Sequence, residues 1–390
     1  MPKIRKFNLG FVIGVFLCGL GVRPIWDSFT SVPSPIYIEP APREKSREPA
    51  GAPLAVAPEI SANSCQNIYQ LVCQKTTTAV TTHDPTGAVR SDIEGEKIAL
   101  NLYTDIIHAH RDWSIDQIDE EMAIQTFTPA RRGRLESAFH WVKNNIEQFI
   151  DQQPSSVFTL YEKQLIKARL RKTKLELPLP ASIYADEPDL LTKNEIYYER
   201  TQEGKMRLRV GGAYVFVAKS WFNLVFTLAH ELAHSIDPCE IRAVRLSFPA
   251  YDQLTACFLQ NGLITTGKDR SECGANDQLS ETFADWLAVQ ITAKALKHFS
   301  TEFHGPQIID AARNSVRDLC EQEIEANDIG TEFHPSPSVR ISKIFGNNPT
   351  IRSLLGCEAE PVVGPAYCTL KSFTPLDSDH IGERPRIYEK

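Results

Sequence analysis

The stretch Trp221-Phe222-Asn223-Leu224-Val225-Phe226-Thr227-Leu228-Ala229-His230-Glu231-Leu232-Ala233-His234 decides how this chain is read. Trp221, Leu224, Val225, Leu228 and Leu232 recur at spacings of three and four, the period of a helix with one apolar face, and Pro238 supplies a stop. On such a helix His230 and His234 stand one turn apart on the same side, with the Glu231 carboxylate beside them. The spacing therefore offers two metal-ligating imidazoles and a base on a rigid platform.

Two histidines do not complete a catalytic zinc site, which takes three protein ligands and keeps a fourth position for water. The third is expected in Asn276-Asp277-Gln278-Leu279-Ser280-Glu281-Thr282-Phe283-Ala284-Asp285-Trp286. Here Asn276 or Asp277 caps a predicted helix running through Leu287, Ile291 and Leu296, which puts Glu281 and Asp285 on one face. Glu281 is expected as the ligand and Asp285 as the acceptor of the outer N–H of a ligating histidine. In isolation, two acids four apart read as a solvated helix face. Coupled to HExxH, they read as the rest of a metal site.

HExxH followed by ExxxD on a second helix resembles the gluzincin metallopeptidases of the neprilysin type. Asp237, three residues past His234, is similar to the Asp of that family's HExxHxxD pattern. Phe333-His334-Pro335-Ser336-Pro337-Ser338-Val339-Arg340 resembles its His-Pro-Pro…Arg segment, with the same interval from His to Arg. The resemblance implies that His334 stabilises charge developing on the scissile carbonyl oxygen and that Arg340 holds a substrate backbone carbonyl. It implies a substrate-binding role for Asn194 in Asn194-Glu195-Ile196-Tyr197-Tyr198, which lies where the family has an Asn-Ala-aromatic-Tyr stretch.

The fold implied is mainly α with a small mixed β-sheet (α+β). Its catalytic lobe would be thermolysin-like and its helical second lobe reduced, since the segment ahead of the motif is far shorter than in the family. The activity implied is zinc-dependent endopeptidase or oligopeptidase: one Zn2+ on His230, His234 and Glu281, Glu231 as general base, and His334 and Asp285 completing the catalytic set. Two alternatives stay open. One is a zinc hydrolase of envelope-linked peptides, the other a zinc-retaining pseudo-enzyme serving as an exported binding or scaffolding module.

Nine cysteines are present, Cys18 in the N-terminal apolar run and eight beyond the linker. An even set outside the leader fits disulfides, although spacing alone does not choose the pairs, and no CxxC pair suggests structural zinc. The segment Cys65-Gln66-Asn67-Ile68-Tyr69-Gln70-Leu71-Val72-Cys73 is similar to the neprilysin-type signature Cys-Asp-Asp-Phe-Tyr-Gln-x-x-Cys. The resemblance implies the pairs Cys65–Cys357, Cys73–Cys320 and Cys257–Cys368, and leaves Cys239 and Cys273 for each other.

Lys3, Arg5 and Lys6 precede the apolar run Leu9–Val22, so residues 1–24 read as a signal peptide or an N-terminal membrane anchor. Export follows, to a periplasmic, membrane-anchored or secreted location. Residues 25–60 are Pro-rich and read as an extended linker. Residues 61–390 form the expected metallopeptidase region, with a helical lobe at about 61–190 and the zinc lobe at about 191–390. Met206–Val217 alternates in polarity and reads as two strands or one bulged strand, with an edge to which a peptide could add. A net charge of −7 and the lack of an aromatic-interleaved basic stretch argue against nucleic acid, leaving a peptide or protein substrate as the expected partner.

Overall fold

Among the described residues the chain builds mostly helices and one small sheet, and each element has a local cause. The computed structural model describes residues 65, 67–73, 92–217, 220–264, 273, 278–300, 306–320, 334–357 and 367–371, all within the compact unit Ala57–Lys390. The expected leader and linker, and the Asn276 and Asp277 caps, lie outside these residues. Among the described residues no helix is long and apolar enough to cross a membrane.

The chain runs through α1 (Ile68–Cys73), α2 (Asp92–Ala109), α3 (Ile115–Thr126), α4 (Pro129–Gln152) and α5 (Leu160–Lys172). Ser114 and Thr159 open α3 and α5 with capping boxes, in which the cap hydroxyl and the side chain of Gln117 or Glu162 satisfy amides that have no partner inside the helix. After the sheet come α6 (Trp221–His234), α7 (Pro238–Ala243), α8 (Pro249–Gln260), α9 (Gln278–Phe299) and α10 (Pro306–Ser315). A π-type turn at Arg340–Phe345 and α11 (Pro349–Leu354) follow. Pro238, read as a stop for α6, is also the first residue of α7, which Asp237 caps by accepting the Glu240 amide at 2.6 Å.

Strands β1 (Lys174–Glu176), β2 (Ile196–Arg200) and β3 (Met206–Val210) form a mixed sheet in the order β1-β3-β2, with β1 parallel and β2 antiparallel to β3. Leu208 and Val210 face the main core. Arg207 and Arg209, also buried, are matched by Glu176, Glu199, Asp186 and Glu187. Burying a charge is costly unless it is paired, and these acids do the pairing.

The expected extension of strand to Val217 does not form. Gly211 and Gly212 press against the chain at Leu190–Glu195, donating to Glu195 O at 2.7 Å and Leu190 O at 3.0 Å, and a 3-10 turn at Ala213–Val215 follows. A Cβ on Gly212 would stand 1.8 Å from Leu191 O, so only glycine permits this approach. With β3 in the middle of the sheet, the open edge nearest α6 belongs to β2.

Helices α6 and α9 pack most extensively against each other. α9 is buried almost all round, through Leu279, Phe283, Trp286, Leu287, Ile291 and Leu296. Full burial of each such side chain contributes about 1.5–3 kcal/mol. Leu135, Phe139, Val142 and Ile146 of α4 and Ile166 and Leu170 of α5 share the core of α6 and α9, while α2 and α3 form a second cluster with Tyr184, Leu190, Ala213 and Phe216. The apolar stripe of α4 packs against α6, and α5 packs against α4.

Four disulfides join Cys65 to Cys357, Cys73 to Cys320, Cys239 to Cys273 and Cys257 to Cys368. The first two tie the beginning of the unit to its C-terminal part across 292 and 247 residues. Such a set suits an oxidising compartment.

Candidate metal centre

Helix α6 starts where Ser220 accepts the Asn223 amide at 3.0 Å and runs without interruption through the two histidines. Its apolar residues face the core, and the helical period leaves His230 and His234 with ring centroids 4.9 Å apart and Nε2 atoms 3.3 Å apart. α9 brings in Glu281, whose Oε2 lies 3.1 Å from His230 Nε2 and whose Oε1 lies 3.6 Å from His234 Nε2. His334, just ahead of the π-type turn, completes the cluster with its Nε2 2.8 Å from Glu281 Oε2. Ligand atoms of His230, Glu281 and His334 all lie within 4.8 Å of one another.

A metal ion fits this cluster. Glu281 Oε2 is buried with ring nitrogens at contact distance, yet it makes no well-directed hydrogen bond. Ring nitrogens of His230 and His334 and the Glu281 carboxylate lie close enough together to share one cation, and His234 Nε2 stands 3.3 Å from His230 Nε2 beside them. Nitrogen and carboxylate donors together suit zinc better than the oxygen-preferring Ca2+ or Mg2+.

The electrostatics agree. Burial pushes the Glu281 carboxyl up, but His230, His334 and His234 outweigh it and hold the group far below the carboxylate range. Burial lowers His230, but Asp285 and Glu281 together raise it to about 10. Metal binding at such a cluster would release the protons that the imidazoles carry.

Each imidazole of α6 is held from behind. His230 Nδ1 meets Asp285 Oδ1 at 3.0 Å, and Asp285 receives the Nε and Nη2 of Arg340 at 2.6 and 2.7 Å. Burial raises the Asp285 carboxyl, yet Arg340 and His230 bring it down to about 2. Arg340, expected on a substrate carbonyl, thus commits two of its donors to Asp285 and is buried itself. On the other ring, His234 Nδ1 lies 3.0 Å from Ser280 Oγ, and Ser280 donates to Asp237. Sequence reasoning passed over Ser280. Its position one residue before Glu281 was the available signal.

Glu231 is half-buried beside the cluster. Burial raises its pKa against the pull of both histidines, and Oε2 accepts the backbone N–H of Tyr198 at 2.8 Å. The Tyr198 ring lies nearly parallel to His234, 6.4 Å between centroids. Tyr198 was also overlooked, because a backbone donor leaves no side-chain signature. Asn194 precedes β2. Its backbone N–H donates to Glu96 Oε1 at 3.1 Å, and its Oδ1 is buried without a hydrogen-bond partner among the described residues. No protein-family model, curated protein or solved structure matches the chain.

Proposed function

We propose that this chain is an exported zinc metallopeptidase of the gluzincin, neprilysin-like type, hydrolysing peptide bonds in peptide or protein substrates. The observation that carries the reading is the convergence of His230 and His234 from α6 with Glu281 from α9, beside a half-buried Glu231. His230, His234 and Glu281 would hold one zinc ion, and His334 stands at the more open side, its side chain 38% exposed. The thermolysin-like identity of the catalytic lobe, with a reduced helical lobe, belongs to the same proposal, as does the assignment of Asn194 and Arg340 to substrate.

A zinc ion in this donor set supplies Lewis acidity to the scissile carbonyl and to the attacking water, lowering the water's pKa from about 16 toward about 7. The chain's own groups do the rest. Glu231 takes a proton from the attacking water and passes it to the leaving amine nitrogen, a role worth about 10²–10⁴-fold. The Tyr198 amide holds Glu231 Oε2, which leaves Oε1 for the proton. His334 Nε2–H donates to the oxygen that gains charge as the carbonyl carbon becomes tetrahedral. Asp285 and Arg340 keep the His230 ring in place while that charge moves.

The test is metal analysis of the purified full chain, followed by cleavage of quenched-fluorescence peptides with and without chelator. One zinc per chain, chelator-sensitive cleavage, and a Glu231→Gln variant that keeps zinc but loses at least about 10²-fold in rate are expected. Zinc-free protein, or undiminished turnover by Glu231→Gln, overturns the reading. Stoichiometric zinc without cleavage selects the binding-module alternative.

A further inference from the structure

The two imidazoles of α6 are not supported alike. His230 meets a carboxylate directly, in Asp285 at 3.0 Å. His234 does not: its Nδ1 lies 3.6 Å from Asp237 Oδ2 but 3.0 Å from Ser280 Oγ, and the Ser280 hydroxyl is itself hydrogen-bonded to Asp237 Oδ2. A neutral imidazole that binds a cation through Nε2 must carry its proton on Nδ1, and a ring N–H at contact distance from a hydroxyl donates to it. Since Asp237 is 1% exposed and accepts the Glu240 amide with its other oxygen, its Oδ2 is the fitting acceptor for the Ser280 O–H.

We infer that Ser280 is a positioning residue: its hydroxyl relays the orienting effect of Asp237 to His234, fixing the ring with Nε2 toward the cation. The inference rests on the zinc reading above. Ser280 also belongs to the first turn of α9, directly before Glu281, so one hydroxyl ties the second histidine and the third ligand to a common support. Slippage of α9 against α6 would break the His234 contact and withdraw Glu281 together. The two ligand helices are therefore coupled through this hydrogen bond as well as through their apolar packing.

Ser280→Ala removes the relay and leaves a gap too wide for a good direct bond between His234 and Asp237. Its zinc affinity, measured by chelator competition on the full chain, should fall about 10- to 100-fold, while Ser280→Thr, which keeps a hydroxyl, should stay near wild type. A second readout is the cobalt-substituted protein, where each ligating ring shows an exchangeable, hyperfine-shifted Nδ1–H proton. Ser280→Ala should lose one of the two to solvent exchange and keep the other. Wild-type affinity with both protons retained in Ser280→Ala overturns the relay and leaves the peptidase reading standing. The expected losses in a chain that cleaves no peptide would sink the peptidase reading and keep the relay. A wild-type chain that takes up neither zinc nor cobalt sinks both.

Discussion

Replacing Asp285 by Asn is the sharpest probe of how the site is held. Asp285 is 1% exposed and receives His230 Nδ1 at 3.0 Å and two donors of Arg340 at 2.6 and 2.7 Å. Asparagine preserves the volume and one acceptor but removes the charge, leaving the guanidinium of Arg340, 7% exposed, without its counter-ion. Breaking a buried pair from one side costs about 3–5 kcal/mol. A second route gives a similar size: a carboxyl lowered from 3.8 to about 2 by folding contributes about 2.5 kcal/mol of charge-dependent stability.

The sign is set by the direction of that shift. A depressed carboxyl stabilises the fold above its unfolded pKa, near 4, and the contribution is lost as pH falls through about 2. Urea unfolding of chelator-treated protein with its disulfides intact should therefore show Asp285→Asn less stable by about 3 kcal/mol at neutral pH. Its decline between about pH 4 and pH 2 should be shallower than that of the parent. Adding Arg340→Met, which removes the stranded cation, should restore part of the loss, so the two changes should be non-additive. A cost below about 1 kcal/mol, or strict additivity, would refute this account of the buried triad.

Other outcomes follow from single features. Gly212→Ala forces a Cβ against Leu191 O and should lower stability by about 1–3 kcal/mol or more, read as a lower urea midpoint, whereas Gly133→Ala, with open space around it, should not. The Cys73→Ser/Cys320→Ser variant opens the 247-residue link and should lose about 2–5 kcal/mol under non-reducing conditions; an unchanged midpoint would deny that bridge a stabilising role. Zinc should raise the melting temperature in a concentration-dependent way, by about 4 kcal/mol of stability at a thousandfold excess over Kd, and Glu281→Gln should reduce that gain. A melting temperature indifferent to zinc would count against Glu281 as a ligand.

The apolar period of Trp221–His234 was legible as a helix because every cue is local: a three-and-four repeat and no breaker before Pro238. The helix indeed runs Trp221–His234, and one turn of it suffices to bring His230 and His234 together. The three cysteine pairs implied by resemblance form, as does the remaining pair Cys239–Cys273, and a mainly helical chain with a small mixed sheet is what the described residues build. Local reasoning ran out at Gly211 and Gly212, where alternation suggested more strand. Contact with Leu190–Glu195, remote in the sequence, turns the chain instead.

What the amino-acid order determined by itself is everything that a single helical repeat dictates: which side chains share a face, where the helix begins, and which two imidazoles neighbour each other. What only tertiary structure decided is which groups from separate helices meet them. Glu281 reaches the pair because α9 buries its apolar sides against α6, and Arg340 reaches Asp285 because the π-type turn packs there. Ser280 comes between His234 and Asp237 by the same packing. Within a helix, distances follow from backbone geometry; between helices they follow from how buried surfaces close on one another.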